Sequence, residues 1–141
     1  MSKLTLLNDW FERVWVGGDL AAIPQFFTED SRAAGVMRGL DLGPQEFAEL
    51  IPAMLSLIED PSATVLRHIE ARDWLWALLL VRAKSAETLE PIEFTAQVAM
   101  RYEGDRIAEA YNHFDMISFF EQLGAFPPET MALCMSGERL H

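Results

Sequence analysis

From Thr64 onward the apolar residues change period, and that change restricts the fold more than any other feature. Before it, apolar positions recur at helical spacing. After it, "TVLRHIEA", "DWLWALLLVRAKS", "IEFTAQVAMRYEG" and "RIAEAYNHF" read as four successive strands, rich in β-branched and aromatic residues. Arg72-Asp73 and Gly104-Asp105 supply tight turns between neighbours, so these strands pair antiparallel. The second of them, Trp74 to Val81 above all, is apolar on both faces, which predicts a central position covered on both sides.

The helical part begins with Leu4, Leu7, Phe11, Val14 and Trp15, with Ser2 placed to cap it and Gly17-Gly18 to stop it. Asp19 is placed to cap a second, short helix, "DLAAIPQFF", in which Pro24 falls within the first turns. "TEDSRAAGVMRG" reads as a turn and a short strand. Gly43-Pro44 opens a third helix with Phe47, Leu50, Ile51, Met54, Leu55 and Ile58 on its apolar face, ended by Pro61. A closing helix carries Met116, Phe119, Phe120 and Leu123, with Gly124 as its C′ residue. A C-terminal tail, residues 128–141, contains the helical pattern "ETMALCM". Helices followed by a run of strands make an α+β domain. The expectation is one domain, residues 1–141, with three N-terminal helices over the concave face of a strongly curved antiparallel sheet, enclosing a cavity.

Charge narrows the partners. The chain has 22 acidic and 11 basic residues, a formal net charge of −11. Phosphate neutralisation needs clustered Lys and Arg, so neither nucleic acid nor an anionic membrane surface is an expected partner. The single cysteine, Cys134, cannot staple the chain, and no Cys or His spacing matches a metal site. Asp9, Glu12 and Arg13 fall inside the first apolar pattern, so a signal peptide is not expected there, and Trp74 to Val81 is too short to cross a bilayer. A reducing cytoplasm is the expected location.

The order of these elements resembles the NTF2-like superfamily of cone-shaped α+β folds, and more narrowly its SnoaL-like, polyketide cyclase-like branch. "FERVWVGGDLAAIPQFFTED" is similar to that family's opening helix, Gly-Asp-Leu joint and Phe-x-x-Asp turn. "GPQEFAELIPAMLSLIEDPSATV" resembles its third helix and the Pro-containing approach to the next strand. "RYEGDRIAEAYNHFDMISFFEQLG" is similar to its most distinctive stretch, where an aromatic residue is followed by an Asp and then "QLG". The sequence departs from the family pattern where Tyr111 replaces a Trp and Gln97 replaces a His. The short "KSAETLEPIE" also stands where members often carry a Gly-rich loop with Thr-His.

The resemblance implies an apolar cavity for a small hydrophobic, polyketide-like or cyclic ligand. It also implies a cyclase or isomerase chemistry that needs no cofactor and no metal. Asp115 aligns with the acid/base aspartate of the cyclases. A carboxylate in an apolar pocket titrates upward toward a useful range, whereas Asp115 at this joint can equally serve as the cap of the closing helix. On a regular strand His113 and Tyr111 share a face with Asp115, so His113 is the second catalytic candidate; a β-bulge would reverse that parity. Tyr111 and Gln97 are candidates to position a substrate oxygen, and Trp15, Met37 and Met100 to form an adaptable apolar wall. His68 and the tail residue His141 carry no expected role. The rival reading is a binding or structural module that holds a ligand without turnover. Apolar sheet surface left uncovered by the helices predicts a homodimer through the outer sheet face.

Overall fold

In the computed structural model, which describes residues 2–140, Ser2 caps helix α1 (Lys3–Trp10), its hydroxyl accepting from the Thr5 backbone N–H at 3.1 Å. The chain then widens into a π-helical turn over Phe11–Val16, closed by the Gly17 N–H donating to the Glu12 carbonyl at 2.9 Å. Nothing in the spacing of Phe11, Val14 and Trp15 distinguishes a π turn from an α turn. The second helix is shorter than its apolar pattern suggests. It splits into a 3₁₀ turn, Leu20–Ala22, and helix α2 (Ile23–Phe26), with Pro24 in the first turn. Asp19 makes no cap there, because its carboxylate is engaged by the Arg13 guanidinium at 3.3 Å.

Strand β1 (Phe27–Ala34) and helix α3 (Pro44–Leu55) follow. Helix α3 ends before Ile58, and the strand β2 (Ile58–Ala71) begins where the sequence pattern places the end of the helix. Pro61 is absorbed because the pairing of β2 with β3 shifts register between Glu59 and Ser62, which removes the need for a Pro N–H. Strands β3 (Trp74–Ser85), β4 (Pro91–Glu103) and β5 (Arg106–Phe114) lie within a residue of their expected bounds. Arg72 and Gly104 take the left-handed conformation at the turns on either side of the β3–β4 pair, with φ of 54° and 60°.

The sheet has five strands in the order β1-β5-β4-β3-β2. The meander β2 to β5 is antiparallel, and β1 joins it parallel to β5, so the sheet is mixed at one edge. That fifth strand covers the backbone groups that β5 would otherwise expose. Register shifts in three of the four strand pairs curve the sheet. The helices pack on the concave face. Trp10, 2 % exposed, anchors them: its ring meets Phe26, Phe27 and Phe47 edge-on at centroid distances of 5.5, 4.9 and 5.8 Å. Helix α4 (Met116–Gln122) closes the open end of the cone, burying Phe119 against Phe94 with ring centroids 5.1 Å apart. Helix α5 (Thr130–Met135) lies in the tail, which ends at His141, outside the described residues. No helix among the described residues is long and apolar enough to cross a membrane.

Candidate functional site

Where the π turn, α3 and α4 meet the concave face they leave an apolar cavity of about 60 Å³. The π turn faces it with Phe11, Trp15 and Val16, an i, i+4, i+5 set that a wide turn brings onto one side. Met54 from α3, Leu79 from β3, Phe114 from β5 and Phe119 from α4 complete its walls, and the Trp15 and Phe114 rings meet edge-on at 6.4 Å. Ser62 is the only lining residue with a polar side chain besides the Trp15 indole, and no lining side chain is ionisable. A second, smaller cavity of about 10 Å³ lies deeper along the same face and shares Phe11, Trp15 and Phe114 with the first. Met100 and Asn112 line this inner cavity.

Of the candidate residues, Trp15 lines both cavities and Met100 the inner one. Met37 does not form a wall: it is 61 % exposed in the loop between β1 and α3. Tyr111, His113 and Gln97 do share a face, but it is the outer face of the sheet, opposite the cavities. The cause is a bulge. Tyr102 pairs with Ile107 and Arg101 with Glu109, so Ala108 is an extra residue and the alternation reverses after it. Ile107 and Ala110 both point inward, and from there Asn112 and Phe114 take the inner face that simple counting from Ile107 gives to Tyr111 and His113. For Gln97 the alternation of its own strand, buried at Ala96 and Val98, is sufficient.

Asp115 is exposed and caps α4, its Oδ1 accepting from the Ser118 N–H at 3.1 Å while its own N–H donates to the Thr95 carbonyl at 3.1 Å. It lines neither cavity. Asn112, not His113, is the polar residue that β5 turns inward. Its one signal is the polar Asn112-His113 pair, where a bulge decides which of the two turns inward.

The outer face carries a connected set of polar and aromatic groups. The Trp76 indole donates to Gln97 at 3.2 Å, and the Trp74 and Tyr111 rings stack at 6.3 Å. The Tyr111 hydroxyl donates to Glu109 at 2.5 Å, and Arg101 donates to the same carboxylate at 2.9 Å. These bonds, the tyrosine's first, hold the Glu109 carboxyl below its ordinary range, and the carboxylate in turn raises the Tyr111 phenol and the Arg101 guanidinium. On the inner face, burial pushes the Tyr102 phenol well above its usual value. Among the described residues no group of His, Cys, Asp and Glu gathers as a metal site. Ser31 Oγ is buried without a partner and lines neither cavity.

The family of SnoaL-like domains matches this chain over residues 7–110. No curated protein matches it. Among solved structures it is similar to IdmH, a candidate polyketide cyclase from Streptomyces antibioticus, with a TM-score of 0.77, 17 % identity, and coverage of 88 % of this chain and 99 % of that one. AclR, a candidate hydroxylase from Streptomyces galilaeus, superposes with a TM-score of 0.75 at 15 % identity, covering 95 % and 88 %. A hypothetical protein from Catenulispora acidiphila with a ketosteroid isomerase-like fold gives 0.73 at 16 %, covering 87 % and 95 %. At such identities these likenesses establish the cone-shaped fold alone.

Proposed function

The chain belongs to the family of SnoaL-like domains, of the NTF2-like fold, and from that premise we propose that it binds a small, neutral, largely apolar molecule between the π turn, α3, α4 and the concave sheet. The reading is carried by the lining of the cavity: aromatic and aliphatic side chains, with no ionisable group. Such walls recognise shape and apolar surface, at roughly 25 cal/mol per Å² removed from water. They offer no acid or base to a bound molecule. An apolar cavity of about 150 Å³ holds benzene, so a ring-sized ligand requires this one, about 60 Å³, to widen. Met54, unbranched and flexible, is the wall most easily displaced.

Xenon tests the reading without requiring the natural ligand, because it is apolar and fits a cavity of this size. Xenon NMR should show saturable binding to the wild type, lost in Ala63→Phe, where the added ring fills the space beside Ala63. Weak, non-saturable binding in both proteins would reject the cavity as a site.

Acid–base chemistry of the cyclase or isomerase kind, without a cofactor, is the second reading. It is favoured by the family and by the position of Asp115 immediately after Phe114, a cavity residue. For it to hold, Asp115 must leave its cap, and the outward His113, Tyr111 and Gln97 would have to act on a substrate other than one in these cavities.

The outer face suits a different partner, a second copy of this chain. Trp74, Trp76, Leu78 and Leu80 are only half-buried there, and Ile69 beside Trp76 is exposed, with no helix of the described residues laid across them. Arg82 with Glu93, and the ladder of Arg101, Glu109 and Tyr111, would enter such a contact already paired, whereas Arg67, opposite Leu78, donates only to the Leu66 carbonyl and would need a carboxylate of the second copy.

A further inference from the structure

Asn112 stands alone among the residues that β5 turns toward the helices: its companions Ile107, Ala110 and Phe114 are apolar. It is 6 % exposed, and among the described residues no side-chain hydrogen bond reaches its amide, whose atoms keep some accessible surface, unlike the fully buried Ser31 Oγ. A buried amide has two donors and an acceptor oxygen to satisfy, and leaving them empty is costly. The inner cavity beside it, about 10 Å³, is room for about one water, which itself needs two to four polar partners. Apart from Asn112, the walls there are aromatic and aliphatic, the indoles of Trp10 and Trp15 being the only other side-chain donors. A water there would have the Asn112 amide and the two indoles as its side-chain partners, in a space at the lower bound of what a water needs, so it is a guest that a ligand oxygen could displace. The inner cavity shares the side chains of Phe11, Trp15 and Phe114 with the larger one, so a molecule seated in the larger cavity meets Asn112 once those rings part.

We infer that Asn112 orients the ligand by hydrogen-bonding a single carbonyl or hydroxyl oxygen, which makes the ligand class a compact apolar body bearing one neutral oxygen. The inference rests on the cavity reading above and adds its polarity. Carboxylates and amines are excluded from this class, because neither cavity holds a countercharge and a buried unpaired ion is not tolerated. Asn112 acts here as a specificity residue, since its amide neither takes nor gives a proton at neutral pH.

Cyclopentanone and methylenecyclopentane have the same shape and differ in an oxygen against a methylene group. Their affinities, measured by NMR titration on the wild type and Asn112→Leu, form a cycle that isolates the contact between the oxygen and the amide. The ketone-to-alkene affinity ratio should fall about tenfold in Asn112→Leu, the worth of one hydrogen bond. In the wild type the ketone, and not the alkene, should shift the side-chain amide protons of Asn112, a readout that does not depend on the variant folding. A ratio equal in the two proteins, or amide protons that respond alike to both probes, overturns the inference and leaves the cavity standing if xenon binds. Binding of neither probe overturns the ligand class itself.

Discussion

Leu78 and Leu79 are neighbours on β3 with the same side chain, yet they serve opposite halves of the molecule. Leu79 is fully buried on the concave face beside Leu75 and Ala77, whereas Leu78 is half-buried on the outer face among Trp74, Trp76 and Leu80. Polar groups follow the same division. On the outer face Trp76 is paired with Gln97, and Arg101 and Tyr111 with Glu109. On the inner face β5 presents one amide, that of Asn112, and among the described residues no side-chain hydrogen bond reaches it beside the cavity. Polar groups settled among themselves suit a surface that associates or meets solvent. A polar group left waiting in an apolar chamber suits a ligand.

The largest test of that division compares the two leucines. Leu79→Ala should cost about 2–5 kcal/mol, because it removes a fully buried side chain and enlarges an existing cavity. Leu78→Ala should cost clearly less in dilute protein, where its face is not fully buried. Urea unfolding of both variants measures the difference, and equal costs would mean that the outer face is already a packed core. Next in size is Trp76→Glu, which places a charge in the middle of the outer apolar strip. The wild type should sediment as a dimer at micromolar concentration and the variant as a monomer. A monomeric wild type would remove the outer face from consideration as an interface.

The outer ladder also predicts a modest pH effect. Glu109 titrates below its ordinary value in the folded protein, so its contribution is complete above the unfolded carboxylate range, about 4.3. It is lost as pH falls through the lower, folded value. Tyr111 runs the other way: its raised phenol contributes below about 10 and loses that contribution as pH climbs past it. Glu109→Gln should therefore be less stable than the wild type at neutral pH and converge with it in acid. Denaturation midpoints across pH give the comparison, and curves that stay parallel in acid would reject the assignment.

How far the sequence carries the fold, and where it stops, follows the same physics. The strands of the meander are legible because period-2 alternation repeats over many residues, but the two apolar faces of β3 mislead: β4 is the middle strand, β3 lies beside the edge strand β2, and its outer face is only half-buried. Ser2 and Gly124 mark helix ends through cap chemistry that is local to a few residues. The cavity residues are less legible because each depends on a local irregularity. One extra residue, Ala108, exchanges Tyr111 and His113 for Asn112 and Phe114, and a bulge of one residue leaves almost no mark in composition. The π turn that aims Phe11, Trp15 and Val16 inward likewise hides in a pattern that an α-helix satisfies. The pairing of β1 with β5 joins distant segments and has no local signal.

Asp115 supplies the smallest expected effect, and it bears on the boundary between the two faces. Its side chain is exposed and already occupied by the Ser118 N–H at the start of α4. Asn caps a helix about as well as Asp, so Asp115→Asn keeps that bond and loses only the attraction between a negative charge and the helix N-terminus. The stability cost should stay below about 1 kcal/mol, the usual limit for an exposed charge of this kind. Affinity for xenon or cyclopentanone should not move, because Asp115 touches neither cavity. Deuterium exchange at the α-carbon of bound cyclopentanone then separates a cap from a base. Exchange at the same rate with both proteins leaves Asp115 as a cap. Exchange that is rapid with the wild type and falls by a factor on the order of 10² to 10⁴ in a stable Asp115→Asn would make it a general base. The carboxylate would then have to swing inward past Phe114 when ligand is present, joining the outer side of the joint to the chamber that Asn112 lines.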